Sequence, residues 1–372
     1  VVVMSATIDG TRFARLLGPG AAVIESSGKA FPLEIRWLGS APDKRAEDAV
    51  AAGVMTAWRE RDGDILAFLP GVGEIERVRE RLGAALPKVP ILPLHGQIEP
   101  AGQRAALRRD PQGRRRIVLA TSIAETSLTL EGVSVVVDSG LARGAEFDKA
   151  AGTTHLVTVR ASQAAAAQRA GRAARQGPGV AYRLWEEAAH PGRPPFDPPE
   201  MLAADLAPLV LALAQWGAGD PAALAWLDPP PAAALAAARG RLEALDALDG
   251  EGRITARGRA LAALPLAPAH AAMVLAGAEH GAGEQAARIA LLLQERGLGG
   301  RGEDLAARLQ HWAGDRSPRA EASRKLAAGW ARKARDLVRG GGEGDPPHGV
   351  LLLAGLPDNL ARRRDASGEH WL

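Results

Sequence analysis

The 372-residue sequence contains no cysteine, which excludes disulfide bridges, thiolate metal sites and a cysteine nucleophile. No stretch of about 18 apolar residues is free of charged residues, so the sequence predicts no membrane-spanning helix. The first residues are apolar but lack a basic leader and a cleavage-type boundary, and we expect no signal peptide. These absences indicate a cytoplasmic protein with no membrane partner.

Aromatic residues make up only 4% of the chain, which leaves few candidates for a surface that stacks on planar ligands. Trp58, Trp216 and Trp226 lie at positions typical of helix packing. The eight histidines are scattered without the paired spacing of a metal site, so we predict no metal ligands among them.

Lysine is also scarce, since only six of the 46 basic residues are lysine and the rest are arginine. The planar fork of arginine suits phosphate and carboxylate groups. The same bias, together with abundant alanine and glycine, is also what a GC-rich genome encodes. Composition alone therefore leaves both explanations open.

The order of predicted elements indicates an α/β domain followed by a mostly helical region. Roughly the first 200 residues alternate short β-branched segments with stretches of helical periodicity, which predicts a parallel sheet with crossover helices. After a proline-rich break at residues 190–195, helices follow one another, and we expect a domain boundary there. Residues 245–256 read as a helix end, a turn and a strand, which suggests a winged-helix module. The predicted strands are residues 1–4, 23–25, 33–38, 64–68, 89–94, 116–120, 133–138 and 180–185.

Residues 168–175 read Gln-Arg-Ala-Gly-Arg-Ala-Ala-Arg and belong to a predicted helix at residues 161–173. Gln168, Arg172 and Arg175 fall at i, i+4 and i+7, which would place them on one stripe of a helix. Such a stripe can bind a polyphosphate, and a solvated arginine-rich helix is the equally weighted alternative. Gly171 costs about 1 kcal/mol relative to alanine inside a helix. A ligand or a neighbouring backbone close to Gly171 would explain it.

A predicted buried strand at residues 117–120 continues into a hydroxyl-rich turn that includes Thr121 and Ser122. Ligands bind at the carboxyl ends of strands in open parallel sheets. The hydroxyls and backbone amides of this turn are therefore candidates for binding phosphate oxygens. A polar loop with a helix N-cap is the alternative.

Five segments follow the order of the motifs of superfamily 2 helicases from the third motif onward, and they resemble the DEAH-box subgroup of these ATP-dependent enzymes. The forms Thr-x-Ile-Ala-Glu-Thr-Ser-Leu-Thr and Gln-Arg-Ala-Gly-Arg-Ala-x-Arg are those of this subgroup. The later sequence resembles its winged-helix and helical-bundle region, and residues 137–141 and 356–362 resemble the bacterial HrpB type. The resemblance extends over essentially the whole chain. The five segments are residues 5–7, 68–75, 93–96, 121–128 and 168–175.

Enzymes of this family have two RecA-like lobes, bind ATP between them and move along single-stranded nucleic acid. The resemblance implies that Gln168, Arg172 and Arg175 face the nucleotide, with the two arginines acting as arginine fingers on the γ-phosphoryl charge. It also implies that Thr129 and Glu131 lie near the ribose and phosphates of ATP.

The resemblance further implies a contact surface for the backbone of single-stranded RNA or DNA. We expect the chain to act as a monomer on this partner. In the third motif, Ser5 and Thr7 would couple the nucleotide site to strand movement. The residues implied for the nucleic-acid surface are Gly71, His95, Thr121 and Ser122.

The sequence departs from the family pattern at two motif positions. Ala174 stands where the family usually has glycine, and Ser122 replaces the usual asparagine, which leaves one polar contact of the family unmatched. Both departures are small and leave the arginines in register.

The sequence contains neither a Gly-x-x-x-x-Gly-Lys-[Ser/Thr] phosphate loop nor an Asp-Glu-x-His carboxylate pair for Mg²⁺. We therefore expect a fragment of a longer protein, whose first lobe makes most of the contacts to ATP and Mg²⁺. The 372-residue chain alone is expected not to hydrolyse ATP. The alternative is a non-enzymatic module, derived from a helicase, that binds nucleic acid or a partner. An in-frame phosphate loop encoded upstream would favour the helicase.

The resemblance also predicts how the chain divides into domains. Residues 143–160, between the fifth and sixth motifs, are expected to form a β-hairpin, either the strand-separating hairpin of this family or an ordinary edge hairpin. The predicted divisions are residues 1–22 for the end of the first lobe, 23–195 for the second RecA-like lobe, 196–265 for the winged helix, 266–340 for the helical bundle and 341–372 for the start of a further domain.

Overall fold

The structure, a computed structural model, separates the chain into two compact units, each with its own hydrophobic core. The first unit comprises residues 1–146 and 155–200, and the second comprises residues 147–154 and 201–372. The division of the chain into five domains, which the resemblance predicts, stays a prediction. The residues that the structure describes are 2–4, 10–25, 31–40, 45–96, 98–125, 128–148, 153–295, 297–300, 302–338 and 340–360.

Two sheets account for the strands of the described residues. The strands are β1 Leu33–Trp37, β2 Asp64–Phe68, β3 Ile91–Leu94, β4 Ile117–Ala120, β5 Val133–Asp138, β6 Leu141–Asp148, β7 Thr153–Arg160 and β8 Gly179–Arg183. Six of them form a sheet in the order β1-β8-β5-β2-β4-β3, in which all neighbours are parallel. Strands β6 and β7 form the second sheet, which confirms the hairpin expected at residues 143–160.

Helices cover both faces of the six-stranded sheet, which explains why its central strands are apolar on both sides. Ile65 of β2 points into the core that contains Val50 and Ile75, whereas Leu66 points into the opposite core that contains Ala170. The α/β class predicted from the alternating pattern is therefore confirmed. The helices of the first unit are α1 Gly10–Leu17, α2 Ala46–Glu60, α3 Val72–Ala85, α4 Pro100–Leu107 and α5 Gln163–Gly171.

Two predicted strands, residues 1–4 and 23–25, are wrong where the structure describes them. Val2 and Met4 are exposed and Ile24 is 91% exposed, and none of these residues belongs to a strand. β-branched residues form a strand only where a neighbouring strand accepts their backbone hydrogen bonds. No such neighbour occurs among the described residues.

The second unit is mostly helical, as predicted. Between α7 and α8, Leu248 and Ile254 form a single antiparallel bridge, so the short strand predicted in residues 245–256 is reduced to this pair. The hydroxyl of Thr255 then caps α8 by accepting the N–H of Gly258 at 2.9 Å. The helices of the second unit are α6 Ala207–Trp216, α7 Ala232–Ala244, α8 Ala256–Ala263, α9 Pro268–Glu279, α10 Gly283–Gln294, α11 Leu305–Gly314, α12 Pro318–Leu337 and α13 His348–Gly355.

The three tryptophans predicted to pack between helices have different surroundings. Trp58 packs at the core of the first unit, and Trp226 donates from Nε1 to the carbonyl of Pro221 at 2.7 Å. Trp216 is 76% exposed at the end of α6, so the packing role predicted for it is wrong. None of the described helices is long and apolar enough to cross a membrane alone. The pair α8 and α9 reaches that length jointly but is bent by 105°.

Candidate nucleotide and nucleic-acid site

Three of the residues implied for nucleic-acid contact lie at the carboxyl ends of adjacent parallel strands. Gly71 follows β2 and precedes the first residue of α3, Thr121 follows β4, and His95 follows β3. Because the strands lie in the order β2-β4-β3 and share one direction, the three residues meet at one edge of the sheet. This is the edge where parallel α/β sheets bind ligands.

The turn after β4 contains one backbone amide that is already hydrogen-bonded and two that find no acceptor within the turn. The N–H of Thr121 donates to the carbonyl of Leu94 at 3.2 Å and is therefore occupied. Ser122 is exposed and begins a 3₁₀ turn that ends at Ala124, and the first N–H groups of such a turn find no acceptor within it. The amides that can meet a phosphate are accordingly those of Ser122 and Ile123, next to Thr121, and the nucleic-acid contact of this turn stays a prediction.

His95 is half-buried at this edge. Burial lowers the pKa of its imidazole, although the charge of Glu76 opposes the shift. The ring is therefore mostly neutral at pH 7 and contributes a polar surface rather than a positive charge.

The helix that carries the arginine motif is shorter than the predicted 161–173. It begins after Ser162, whose hydroxyl accepts the N–H of Ala165 at 3.0 Å, and it ends at Gly171. Tighter i to i+3 bonds continue to Ala174, and the following glycine and Pro178 prevent further helix. Arg175 therefore lies beyond α5 and is exposed, so the helical stripe predicted for it is wrong.

Gly171 and Gln168 lie in the last turns of α5. A Cβ added to Gly171 would meet no atom within 4 Å, so no neighbouring backbone accounts for this glycine. The ligand explanation of Gly171 stays a prediction. Gln168 is half-buried on the same helix.

Arg172 is 7% exposed and binds the segment that leads to Thr129. Its Nε donates to the carbonyl of Glu125 at 2.8 Å, and its Nη1 donates to the carbonyl of Leu128 at 2.6 Å. Burial and then the neighbouring charge of Arg175 lower the pKa of Arg172. Arg172 thus contacts the Thr129 segment directly, and Arg175 lies near enough for its charge to act on Arg172.

Arg169 is an important residue that motif reasoning left without a role. It is 1% exposed and binds Glu125 Oε1 through Nε at 2.7 Å and Asp138 Oδ1 through Nη1 at 2.9 Å. Burial raises the pKa of Glu125, and the charge of Arg169 opposes that rise. Arg169 therefore ties α5 to the turn after β4 and to the end of β5. Its position one residue after Gln168 turns it about 100° around the helix from the predicted stripe, which is the signal that the sequence offers.

Glu131 is held by its backbone on both sides, and Thr129 two residues earlier is exposed. The N–H of Glu131 donates to the carbonyl of Leu107 at 3.0 Å, and Arg116 Nη2 donates to the carbonyl of Glu131 at 2.8 Å. The Oε2 atom of Glu131 accepts the N–H of Arg109 at 3.3 Å. These bonds fix the end of the segment on which the nucleotide contacts were predicted.

Part of the predicted site falls outside the described residues. Ser5 and Thr7, predicted to couple nucleotide and strand movement, lie outside them, as do residues 126–127. Within the described ranges, no group of three or more His, Asp or Glu side chains is arranged to hold a metal ion.

Known proteins similar to this chain support a helicase assignment along its length. Residues 47–177 match the helicase conserved C-terminal domain, and residues 238–266 match the winged-helix helicase associated domain (HA2). The ATP-dependent RNA helicase HrpB of Escherichia coli (strain K12) is 40% identical over 378 residues, which is 100% of this chain and 45% of that protein. The pre-mRNA-splicing factor ATP-dependent RNA helicase prp22 of Schizosaccharomyces pombe is 36% identical over 79% of this chain and 26% of its own length.

Solved structures agree with these relatives. A crystal structure of the E. coli DEAH/RHA helicase HrpB matches with a TM-score of 0.84 at 40% identity, covering 97% of this chain and 45% of that chain. A structure of the E. coli DExH-box NTPase HrpB matches with a TM-score of 0.79 over 97% of this chain and 43% of that chain. Fold and motifs together define a RecA-like lobe followed by a helicase-associated winged helix. The chain belongs to the DEAH-box helicases of the HrpB type, and it spans less than half the length of these relatives.

Proposed function

We propose that this chain is the C-terminal part of an ATP-dependent helicase that couples ATP hydrolysis to movement along RNA or DNA and to unwinding. The observation that supports the proposal is the contact of the Arg172 side chain with the segment that leads to Thr129, together with the charge of the nearby Arg175. The carboxyl edge with Gly71, His95 and Ser122 provides a separate surface on the same lobe. The names of the relatives, which are RNA helicases, favour RNA as the partner.

The residues present fit the phosphate groups of ATP. Arg175 is an exposed cation, and Arg172 is a partly shielded one that two backbone carbonyls hold in place. Guanidinium groups fixed in this way stabilise negative charge on a phosphoryl group without having to reorganise. ATP, when bound, supplies the phosphoryl group whose transfer to water releases the energy for movement.

Gln168, Thr129 and Glu131 would complete the nucleotide-facing surface of this lobe. Gln168 offers an amide that both donates and accepts, and Thr129 offers an exposed hydroxyl. The carboxylate of Glu131 suits a ribose hydroxyl. The backbone bonds at Glu131 hold this surface at a fixed distance from β4.

The chain's own residues do not fit a complete magnesium site, since no suitable carboxylate cluster occurs among the described residues. We place Mg²⁺ and most contacts to ATP in another lobe of the full-length protein. The 372-residue chain alone is accordingly expected not to hydrolyse ATP, and Ser5 and Thr7 are proposed to link the two lobes.

At the carboxyl edge, Gly71, His95, Thr121 and Ser122 are proposed to contact the backbone of a single strand. Backbone contacts carry little sequence information, so binding should tolerate sequence changes. These four residues bring no positive charge, so a fall of affinity with salt would report cationic side chains elsewhere on the full-length protein, with a slope of about −0.7 per neutralised phosphate on a plot of log affinity against log salt.

The test is the nucleic-acid-stimulated ATPase activity of the full-length protein carrying Arg175→Ala. Because Arg175 is exposed, its removal should leave folding intact while lowering the turnover number about 10³-fold, at the lower end of the range for arginine fingers. Arg59→Ala is the matched control, since Arg59 is also exposed but lies on α2, on the opposite face of the sheet. Turnover of the Arg175 variant within about twofold of the wild-type value would refute the assignment.

A further inference from the structure

The β6–β7 hairpin needs anchors to keep its orientation. It forms its own two-stranded sheet, and Leu156 and Val159 on β7 are exposed. A two-stranded hairpin is at best marginally stable by itself in water. The position of its first-unit part, residues 141–146 and 155–160, therefore depends on side chains that bind it from outside.

One arginine holds both ends of this hairpin. The hairpin base consists of Gly140, directly before β6, and Ala161, directly after β7, and the N–H of Ala161 donates to the carbonyl of Gly140 at 2.9 Å. Arg193 Nη1 donates to the carbonyl of Gly140 at 2.7 Å and to that of Ala161 at 3.0 Å. Arg193 is 7% exposed, and its guanidinium lies 4.0 Å from the ring centre of Trp185. The hairpin base is thus fixed by a residue that lies outside every helicase motif.

The segment that contains Arg193 also binds the start of α5. The N–H of Gln163 donates to the carbonyl of Pro194 at 2.8 Å, and the N–H of Ala164 donates to that of Pro195 at 3.0 Å. The side-chain amide of Gln163 donates to the carbonyl of Arg193 at 2.9 Å. These bonds satisfy donors that the first turn of a helix leaves unpaired. The hairpin base and the helix that ends beside Arg172 are therefore attached to one short segment.

Two further contacts connect the hairpin to the proposed site. Arg169 Nη1 on α5 donates to the carbonyl of Leu141, the first residue of β6, at 3.0 Å. Arg143 on β6 binds Thr158 on β7 and Glu74 on α3, the latter at 3.2 Å. Since α3 begins directly after Gly71, the hairpin contacts both the nucleotide-facing helix and the helix at the nucleic-acid edge.

We propose that Arg193 is a positioning residue that makes the β6–β7 hairpin move together with α5, and thereby couples ATP hydrolysis to work on the strand. This inference rests on the proposed function. Gly140 is needed for the same contact. Its φ of +68° favours glycine, and an added Cβ would lie 2.5 Å from Arg193 Nη2 and 2.6 Å from Trp185 Cε3. Any larger residue at Gly140 would displace the guanidinium from the hairpin base.

The experiment uses the full-length protein with Arg193→Ala, Arg193→Lys, Gly140→Ala and the control Gly144→Ala. Gly144 also lies in β6, but a Cβ there would make an ordinary contact of 3.4 Å with Val159. Three quantities are measured for each variant: amide hydrogen exchange, nucleic-acid-stimulated ATPase, and base pairs unwound per ATP hydrolysed. Hydrogen exchange needs no activity, so it tests the hairpin base even if the proposed function is wrong.

We expect Arg193→Ala and Gly140→Ala to raise exchange about tenfold in residues 141–146 and 155–160 while β2 and β4 stay protected. ATPase should stay within about twofold of the wild-type value, while unwinding per ATP falls about tenfold. Arg193→Lys should restore part of the protection, because an ammonium can still donate to both carbonyls. Gly144→Ala should behave like the wild type.

Several results would overturn this role. Unchanged hairpin exchange in Arg193→Ala, or a lysine variant as unprotected as the alanine variant, would show that the two carbonyl bonds do not position the hairpin. ATPase and unwinding that fall in equal proportion would show a loss of folded protein rather than of coupling. A wild-type protein without nucleic-acid-stimulated ATPase would instead refute the proposed function, and the exchange result would still decide whether Arg193 positions the hairpin.

Discussion

Two arginine-rich segments of the first unit, residues 114–116 and 169–175, use the same side chain in different ways. In the first segment, Arg116 is fully buried against Asp64, Arg115 lies 3.8 Å from the ring centre of Trp58, and Arg114 pairs with Asp110. All three are bound within the unit. In the second segment, burial decreases along the chain from the ion-paired Arg169 to the exposed Arg175.

The two segments differ in whether their exposed arginine has a partner within the unit. Arg169 and Arg172 anchor the second segment to carboxylates and carbonyls, and the exposed Arg175 follows these anchors in the chain. The first segment has buried anchors as well, but its exposed member pairs with a carboxylate four residues away. We infer that only the second segment presents a positioned and available charge.

The largest effect is expected from Arg116→Met. The substitution leaves the carboxylate of Asp64 buried without its partner, and removes donors from the carbonyls of Ala105, Ala106 and Glu131. Breaking a buried pair in this way destabilises a protein by about 3–5 kcal/mol, which denaturant unfolding of the chain would measure. The double variant with Asp64→Asn should recover part of the loss, since it removes the unpaired charge. A loss below about 1 kcal/mol in the single variant would mean that this arginine is not an anchor.

A smaller loss, about 3 kcal/mol at the lower end for a buried pair, is expected from Arg169→Met. Glu125 can take up a proton when its partner is removed, because burial already raises its pKa. Asp138 still accepts the N–H of Gly140 at 2.8 Å. Denaturant unfolding of both variants, Arg169→Met and Arg116→Met, shows which loss of unfolding free energy is larger. If Arg169→Met were less stable than Arg116→Met, Arg169 would contribute more to the unfolding free energy than Arg116, contrary to the expected order.

Much of the fold was predictable from the sequence, because strand and helix periodicities and the proline-rich break at residues 190–195 are local signals. The orientation of Arg169 toward Glu125 and Asp138 was not, since it depends on which residues of distant segments the sheet order brings together. The occupied amide of Thr121 has the same origin, because its acceptor Leu94 lies on the neighbouring strand β3. Motif spacing identifies candidate side chains, but tertiary contacts decide which of them stay available.

Glu125→Gln should change the pH dependence of stability. Burial raises the pKa of Glu125 above its ordinary value of 4.5, so the native state binds this proton more tightly than the unfolded state does. Its contribution to the unfolding free energy is therefore most favourable below pH 4.5 and declines as pH rises through the native pKa. The unfolding free energy of the wild type relative to that of Glu125→Gln should decline over the same range in denaturant unfolding. A difference that grows with pH would contradict the raised pKa.

The smallest effect on stability is expected from Arg114→Ala and Arg175→Ala, which sharpen the comparison because both side chains are exposed. Exposed ion pairs contribute little to stability, so neither variant should change the melting temperature measurably. Their ATPase activities in the full-length protein should differ sharply, since only Arg175 belongs to the motif that we propose faces the nucleotide. If Arg114→Ala lowered turnover as much as Arg175→Ala, both segments would have to contribute charge to the bound nucleotide. The distinction between an internally bound and an available arginine cluster would then be wrong.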